Sequence, residues 1–203
     1  MNMKFKISNR YFLFLSVIMI NMVTLLESYA QAPITEKASA GIFVQKFYDW
    51  YVPLYNAPTK LKPKGVSCDC ADIIALKQKP EYFDPILLKA ILDDSNAQAK
   101  VKDDDVGLDF DPFLSAQDIG FIYQAGNVKQ VKDSFFVDVH YAFEGKSKKE
   151  VLASEIAVIT EVVRSGTNWK FSNFIYPADG NQKQTDLLKL LANLRNSRKT
   201  QSK

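Results

Sequence analysis

Six aspartates crowd one stretch of this chain: Asp103, Asp104, Asp105, Asp109, Asp111 and Asp118. Carboxylate oxygens set close along a loop are the donors a hard cation such as calcium takes. Asp103, Asp105, Asp109 and Asp111 share one alternation, with Gly107 between them. An EF-hand loop needs glycine sixth and a bidentate glutamate twelfth. Counted from Asp103, those places hold Leu108 and Leu114, so an EF-hand is excluded. A looser calcium site and a solvated acidic loop remain open. Asp109–Asp118 also has a structural reading. Asp111-Pro112 opens a turn, and Asp111 caps a short helical turn at Pro112–Gln117 that Phe110 and Phe113 anchor in apolar surface. On the first reading Asp109, Asp111, Gln117 and Asp118 meet a ligand or partner; on the second they build the fold.

The single histidine, His140, lies two residues from Asp138 on one strand face, so a carboxylate could orient an imidazole for proton transfer. That face is the polar one, and a plain surface histidine is the competing reading. The two cysteines, Cys68 and Cys70, have one residue between them. They read as a strained bridge, two free thiols or half of a soft-metal site, and no second Cys or His pair lies near to complete a tetrahedral zinc site. No Walker loop, dinucleotide fingerprint, His-Glu-x-x-His or Gly-x-Ser-x-Gly occurs. No catalytic residue is assigned, and no cofactor is implied.

Several elements must position these groups. Thr35 caps a helix in which Phe43, Phe47, Trp50, Tyr51 and Leu54 recur at helical spacing, with Pro53 and Pro58 ending it. A loop follows over 57–67, then a short helix over Ala71–Gln78, then an apolar-faced segment from Pro80 through Ile91. Gln98–Leu108 reads as an acidic connection. After Gly120 the character changes: a strand over Phe121–Val131, a second in which Phe135, Val137, Val139, Tyr141 and Phe143 alternate with polar residues, a third over Val151–Val163 that is apolar on both faces, and a fourth over Trp169–Tyr176. Leu187, Leu188, Leu191 and Leu194 mark a last helix. Helices, then an antiparallel meander of about four strands, then a closing helix predict an α+β fold with the helices on one face of the sheet. The predicted organisation is a signal segment at 1–30, a linker at 31–36, one domain at 37–196 and a disordered basic tail at 197–203.

The signal segment rests on Lys4, Lys6 and Arg10, the apolar run Tyr11–Leu26, and Ser28-Tyr29-Ala30 with small residues at the −3 and −1 places. The run is shorter than the roughly 20 residues that span a bilayer comfortably, which favours cleavage after Ala30 over an anchor. The protein is therefore expected outside the cytoplasm, with no stable membrane span. The chain is 47% apolar and 24% charged, which suits a globular domain rather than a disordered one. Its formal charge is +3, and the signal holds three bases against Glu27, leaving the remainder near +1. So small a charge gives no field for a phosphate backbone, and nucleic acid is not an expected partner.

Phe47-Tyr48-Asp49-Trp50-Tyr51, Asp109-Phe110-Asp111-Pro112-Phe113 with Ala116-Gln117-Asp118, and Trp169-Lys170-Phe171 leading through Ile175-Tyr176 to the leucine-rich helix together resemble DUF family 3828. This family comprises small exported bacterial proteins of unassigned activity, some of them lipoproteins. The resemblance covers most of 37–196 and implies a cone similar to that of nuclear transport factor 2. Lipid-anchored relatives carry cysteine directly after the signal. Gln31 stands there, so a periplasmic or secreted protein without a lipid anchor is expected. Three functional classes follow: a non-enzymatic module binding a small apolar ligand or an envelope protein, as immunity-type proteins do; a small cone-fold enzyme acting on an apolar substrate; and a calcium-stabilised envelope protein.

Overall fold

The computed structural model describes residues 34–57, 70–101, 107–118, 120–178 and 183–201. The signal segment, Cys68 and Asp103–Asp105 lie outside the described residues. From Thr35 onward the chain forms one unit. Helix α1 is Glu36–Asn56, α2 Ala71–Gln78 and α3 Pro85–Gln98, with a 3-10 turn at Pro80–Tyr82. Strands β1 (Phe121–Val131) and β2 (Ser134–Phe143) form a hairpin, followed by a short helix α4 (Lys148–Leu152). Strands β3 (Ile156–Ser165), β4 (Asn168–Tyr176) and β5 (Thr185–Asp186) lead to α5 (Leu187–Gln201). The fold is α+β. Its sheet is antiparallel in the order β1-β2-β3-β4-β5, curved and not closed.

Thr35 caps α1 as expected, its Oγ1 accepting from the Ala38 amide at 3.2 Å. The helix passes through Pro53 and ends at Asn56, later than Pro53 alone predicts. A proline removes one amide donor and disfavours the turn before it, but here burial of Tyr51 and partial burial of Leu54 and Tyr55 hold the last turn in place. The apolar face is wider than the expected stripe, because Tyr48 is buried beside Phe47 and Tyr51. Gly41 lets α1 approach β1 closely: a Cβ there would stand 3.2 Å from Val128 Cγ2.

Phe47 is the hub of the core. Its ring centroid lies 4.8 Å from that of Phe171, 5.2 Å from Tyr51, 5.6 Å from Phe113 and 5.9 Å from Phe83. These partners come from α1, the 83–84 segment, the 111–116 turn and β4, so one side chain joins four parts of the chain. Phe83 also bridges to Phe171 beside β4, where the Asp84 amide donates to the Phe171 carbonyl at 2.8 Å before Asp84 caps α3.

The sheet bends at register shifts between Ala125 and Val128, Val139 and His140, and Glu161 and Val162, as bulges bend strands. Gln45 of α1 serves the first, its Oε1 accepting from the Ala125 amide at 2.7 Å and from Gln124 Nε2. The third strand begins at Ile156, not Val151. Ser147 and Glu150 form a reciprocal capping box that turns Lys148–Leu152 into a helix and buries Val151 on the sheet. At the C-terminus, α5 continues to Gln201, past the point where a free tail is expected. Arg198 fixes it to α3 through Asp94 at 2.6 Å, a carboxylate that also accepts from the Leu108 amide at 3.0 Å.

Replacing Phe47 by alanine removes the hub and should cost about 3–5 kcal/mol. Phe143→Ala, at a side chain 68% exposed, should change stability by less than about 0.5 kcal/mol. Urea unfolding of both variants checks the contrast, and equal losses would overturn this account of the core.

Candidate functional site

The turn Asp111–Ala116 is built as a closed unit. The Asp111 amide donates to the Ala116 carbonyl at 3.0 Å, and the Ser115 amide to the Asp111 carbonyl at 2.9 Å. Asp111 Oδ1 accepts from the amides of Phe113 and Leu114, both at 3.0 Å, which is the capping role its sequence position suggests. Ser115 takes φ +53° to close the loop, a left-handed conformation uncommon outside glycine. Phe113 and Leu114 are buried, and Phe110 stands edge-on to Tyr176 with centroids 5.3 Å apart.

Four tyrosine hydroxyls hold this turn, one to each successive residue. Tyr51 donates to Asp111 Oδ2, Tyr176 to the Pro112 carbonyl at 3.0 Å, Tyr48 to the Phe113 carbonyl at 2.7 Å, and Tyr123 to the Leu114 carbonyl at 3.3 Å. The donors come from α1, β1 and β4. Burial pushes the pKa of all four phenols up, and the nearby Asp111 carboxylate pushes it further. They therefore stay protonated and remain donors.

Asp111 is the electrostatic centre of the turn. Part of the residue reaches the surface, but its carboxyl sits where burial, and secondarily the Asp72 carboxylate, push its pKa up to about 7. The bonds from Tyr51, Leu114 and Phe113 pull the other way without offsetting burial.

Two clefts flank the turn. One, of about 840 Å³, lies between the turn and helices α2 and α3; Ile73, Ile91, Leu108 and Phe110 give it apolar walls, and Asp72, Asp94, Asp109 and Asp111 line it too. The other, of about 630 Å³, opens between the turn and the sheet, lined by Leu114, Asp118, Phe121, Tyr123, Tyr141, Glu155 and Tyr176 among others. Both volumes fall in the range of small-molecule sites. The four residues singled out in the sequence are thus divided by the turn. Asp109 and Asp111 face the helix-side cleft, Asp118 faces the sheet-side cleft, and Gln117 borders both while donating to the Asp109 carbonyl at 3.2 Å.

Asp138 and His140 line neither cleft. His140 Nδ1 is 2.9 Å from the Ser154 carbonyl, and its ring crosses Gly126 so closely that a Cβ there would stand 2.8 Å from its Cδ2. The imidazole joins α4's end to β1 rather than pairing with Asp138. Cys70 is disulfide-bonded. Among the described residues, no three His, Cys, Asp or Glu side chains group closely enough for a metal. Sequence reading missed the cleft aromatics and Glu155. Their signal was the alternation of Phe121 and Tyr123 on β1 opposite Phe143 and Tyr141 on β2.

No family model, no curated protein and no solved structure matches this chain.

The raised pKa of Asp111 has a stability signature. Between about pH 4, the ordinary aspartate value, and about pH 7, the folded chain keeps a proton that the unfolded chain has released. Stability from this group falls as pH rises through that window, with no penalty below it and the full penalty above. Asp111→Asn keeps an acceptor for the two amides and removes the charge. In thermal melts from pH 4 to pH 8, wild-type stability relative to this variant should decline steadily toward pH 7, and a constant difference would overturn the assignment.

Proposed function

We propose that this protein is an exported, non-enzymatic binding module whose ligand or envelope protein partner sits in the clefts beside the Asp111–Ala116 turn. One observation carries the reading: the groups best suited to chemistry are already committed internally, while the clefts beside them are open. Both Asp111 oxygens accept bonds from the chain itself, and His140 is held by Ser154. A rigid turn between two clefts suits recognition, which gains when a site is ordered before its ligand arrives. Export rests on the basic, apolar and small-residue order of 1–30, with the protein periplasmic or secreted and not lipid-anchored. Among the described residues, no helix is long and apolar enough to cross a membrane. Membership of DUF family 3828 belongs to the same reading: among the residues that carry the resemblance, Phe47, Tyr48, Tyr51, Asp111, Phe113, Phe171 and Tyr176 build the core or clamp the turn.

A second reading has its own observation. A carboxyl with pKa about 7 is the kind of group that acid–base enzymes use. On that reading Asp111 exchanges a proton with an apolar substrate in the helix-side cleft.

The full chain, expressed with residues 1–30 and recovered from the cell envelope, should begin at Gln31 by intact mass; a product beginning at Met1 would replace cleavage after Ala30 by an uncleaved anchor, and recovery from the cytoplasm alone would remove the export reading. Ala116 borders both clefts, so Ala116→Trp should block them. A ligand at a hundred times its Kd stabilises by about 2.7 kcal/mol, which raises Tm by several degrees in a domain of this size. Screening small molecules and envelope extracts should find a binder that stabilises wild type and not Ala116→Trp. Binding that survives the tryptophan would place the site elsewhere. Turnover abolished by Asp111→Asn would favour the enzyme.

A further inference from the structure

We propose that the sheet-side cleft is a site for a substituted ammonium ion, held against aromatic faces and balanced by Asp118 and Glu155. The proposal rests on the binding-module reading and specifies its ligand class. The antiparallel register sets Tyr123 directly opposite Tyr141 and Phe121 opposite Phe143. The Tyr141 amide meets the Glu155 carbonyl at 3.4 Å, which brings Glu155 alongside the same row. The rings form a connected series: Phe143 to Phe121 at 4.8 Å, Phe121 to Tyr141 at 5.4 Å, and Tyr141 to Tyr123 at 6.3 Å between centroids. Tyr176 also lines the cleft.

Charge selects among ligands for such a wall. The described lining contains two carboxylates and no lysine, arginine or histidine. Asp118 and Glu155 are exposed and make no ion pair or side-chain hydrogen bond among the described residues. The Tyr141 hydroxyl likewise has no bonded partner there, unlike those of Tyr123 and Tyr176. Elsewhere the chain covers aromatic faces with its own cations: Lys79 lies 5.0 Å from the centroids of both Trp50 and Tyr82, and Arg164 lies 4.8 Å from that of Trp169. No described lysine or arginine does this for Phe121 or Tyr141, which are half-buried, whereas Tyr123 is already stacked on Tyr48 with centroids 5.7 Å apart. A bulky alkylammonium meets both needs at once, giving methyl groups and diffuse charge to the rings and neutralising the two acids. A neutral ligand would leave that charge unbalanced.

Choline and its uncharged isostere 3,3-dimethylbutan-1-ol form the test, each titrated into the full-length protein with the tyrosine ring resonances followed by NMR. Choline should saturate, shift the Tyr123 and Tyr141 signals, and bind about tenfold or more tightly than the alcohol, as a cation–π site demands. Glu155→Gln, at an exposed position that leaves the fold intact, should weaken choline several-fold and flatten its salt dependence. Tyr141→Leu should weaken it about tenfold. Equal affinity for the two probes, choline shifts confined to residues outside the cleft, or indifference to both variants would overturn the ammonium assignment. If neither probe binds but another ligand shifts the cleft tyrosines, the assignment falls and the binding module stands. If no ligand or partner perturbs either cleft, both fall.

Discussion

Four phenol hydroxyls aimed at four consecutive residues constrain the rest of this molecule. Asp111, Pro112, Phe113 and Leu114 each present one polar group inward, and Tyr51, Tyr176, Tyr48 and Tyr123 each meet one. A connecting segment ordinarily stays on the surface because its buried backbone would lack partners. Here the partners are supplied by side chains, so the segment can enter the core with Phe113 at its centre. Among the described residues no buried side-chain polar atom lacks a partner. The helix-to-sheet junction is thereby filled by a turn rather than by another helix, and the clefts on either side are the spaces the turn does not fill.

The same construction explains why an acid is tolerated there. A carboxylate in this position loses hydration, and the chain returns three hydrogen bonds to it. That compensation is partial, so protonation is favoured up to neutral pH. A protonated or amide-like group keeps the Oδ1 acceptor for the Phe113 and Leu114 amides, while Tyr51 would turn from donor to acceptor, which marks the residue as a capping element first. Its proximity to the helix-side cleft gives it a view of any ligand there without requiring that it react.

Much of the fold was legible in the sequence because its signals were local. Period-two alternation located β2, the turns at Gly120 and Ser165-Gly166 located β1 and β4 within a residue or two, Thr35 announced α1, and Asp111-Pro112 announced the cap. The errors were also local. The Ser147–Glu150 capping box made a helix out of the start of an apolar run. What the sequence hid was side-chain direction across long separations. Tyr51 read as part of an apolar stripe and Tyr48 lay outside it, yet the hydroxyls of both carry bonds to residues some sixty positions away. The cleft was hidden for the same reason, since Glu155 meets Tyr141 only through a turn and a short helix whose geometry no spacing rule supplies.

The order in which the clamp's parts emerge from any N-to-C process matters. Tyr48 and Tyr51 come first, then the turn itself, then Tyr123, and Tyr176 only after the whole hairpin and β3. A chain threaded through a ribosomal tunnel or a translocation pore thus holds Pro112's carbonyl unmatched until nearly everything else is out. Completion of the last long strand is what supplies the clamp's final donor. Maturation of this protein is in that sense counted from its far end.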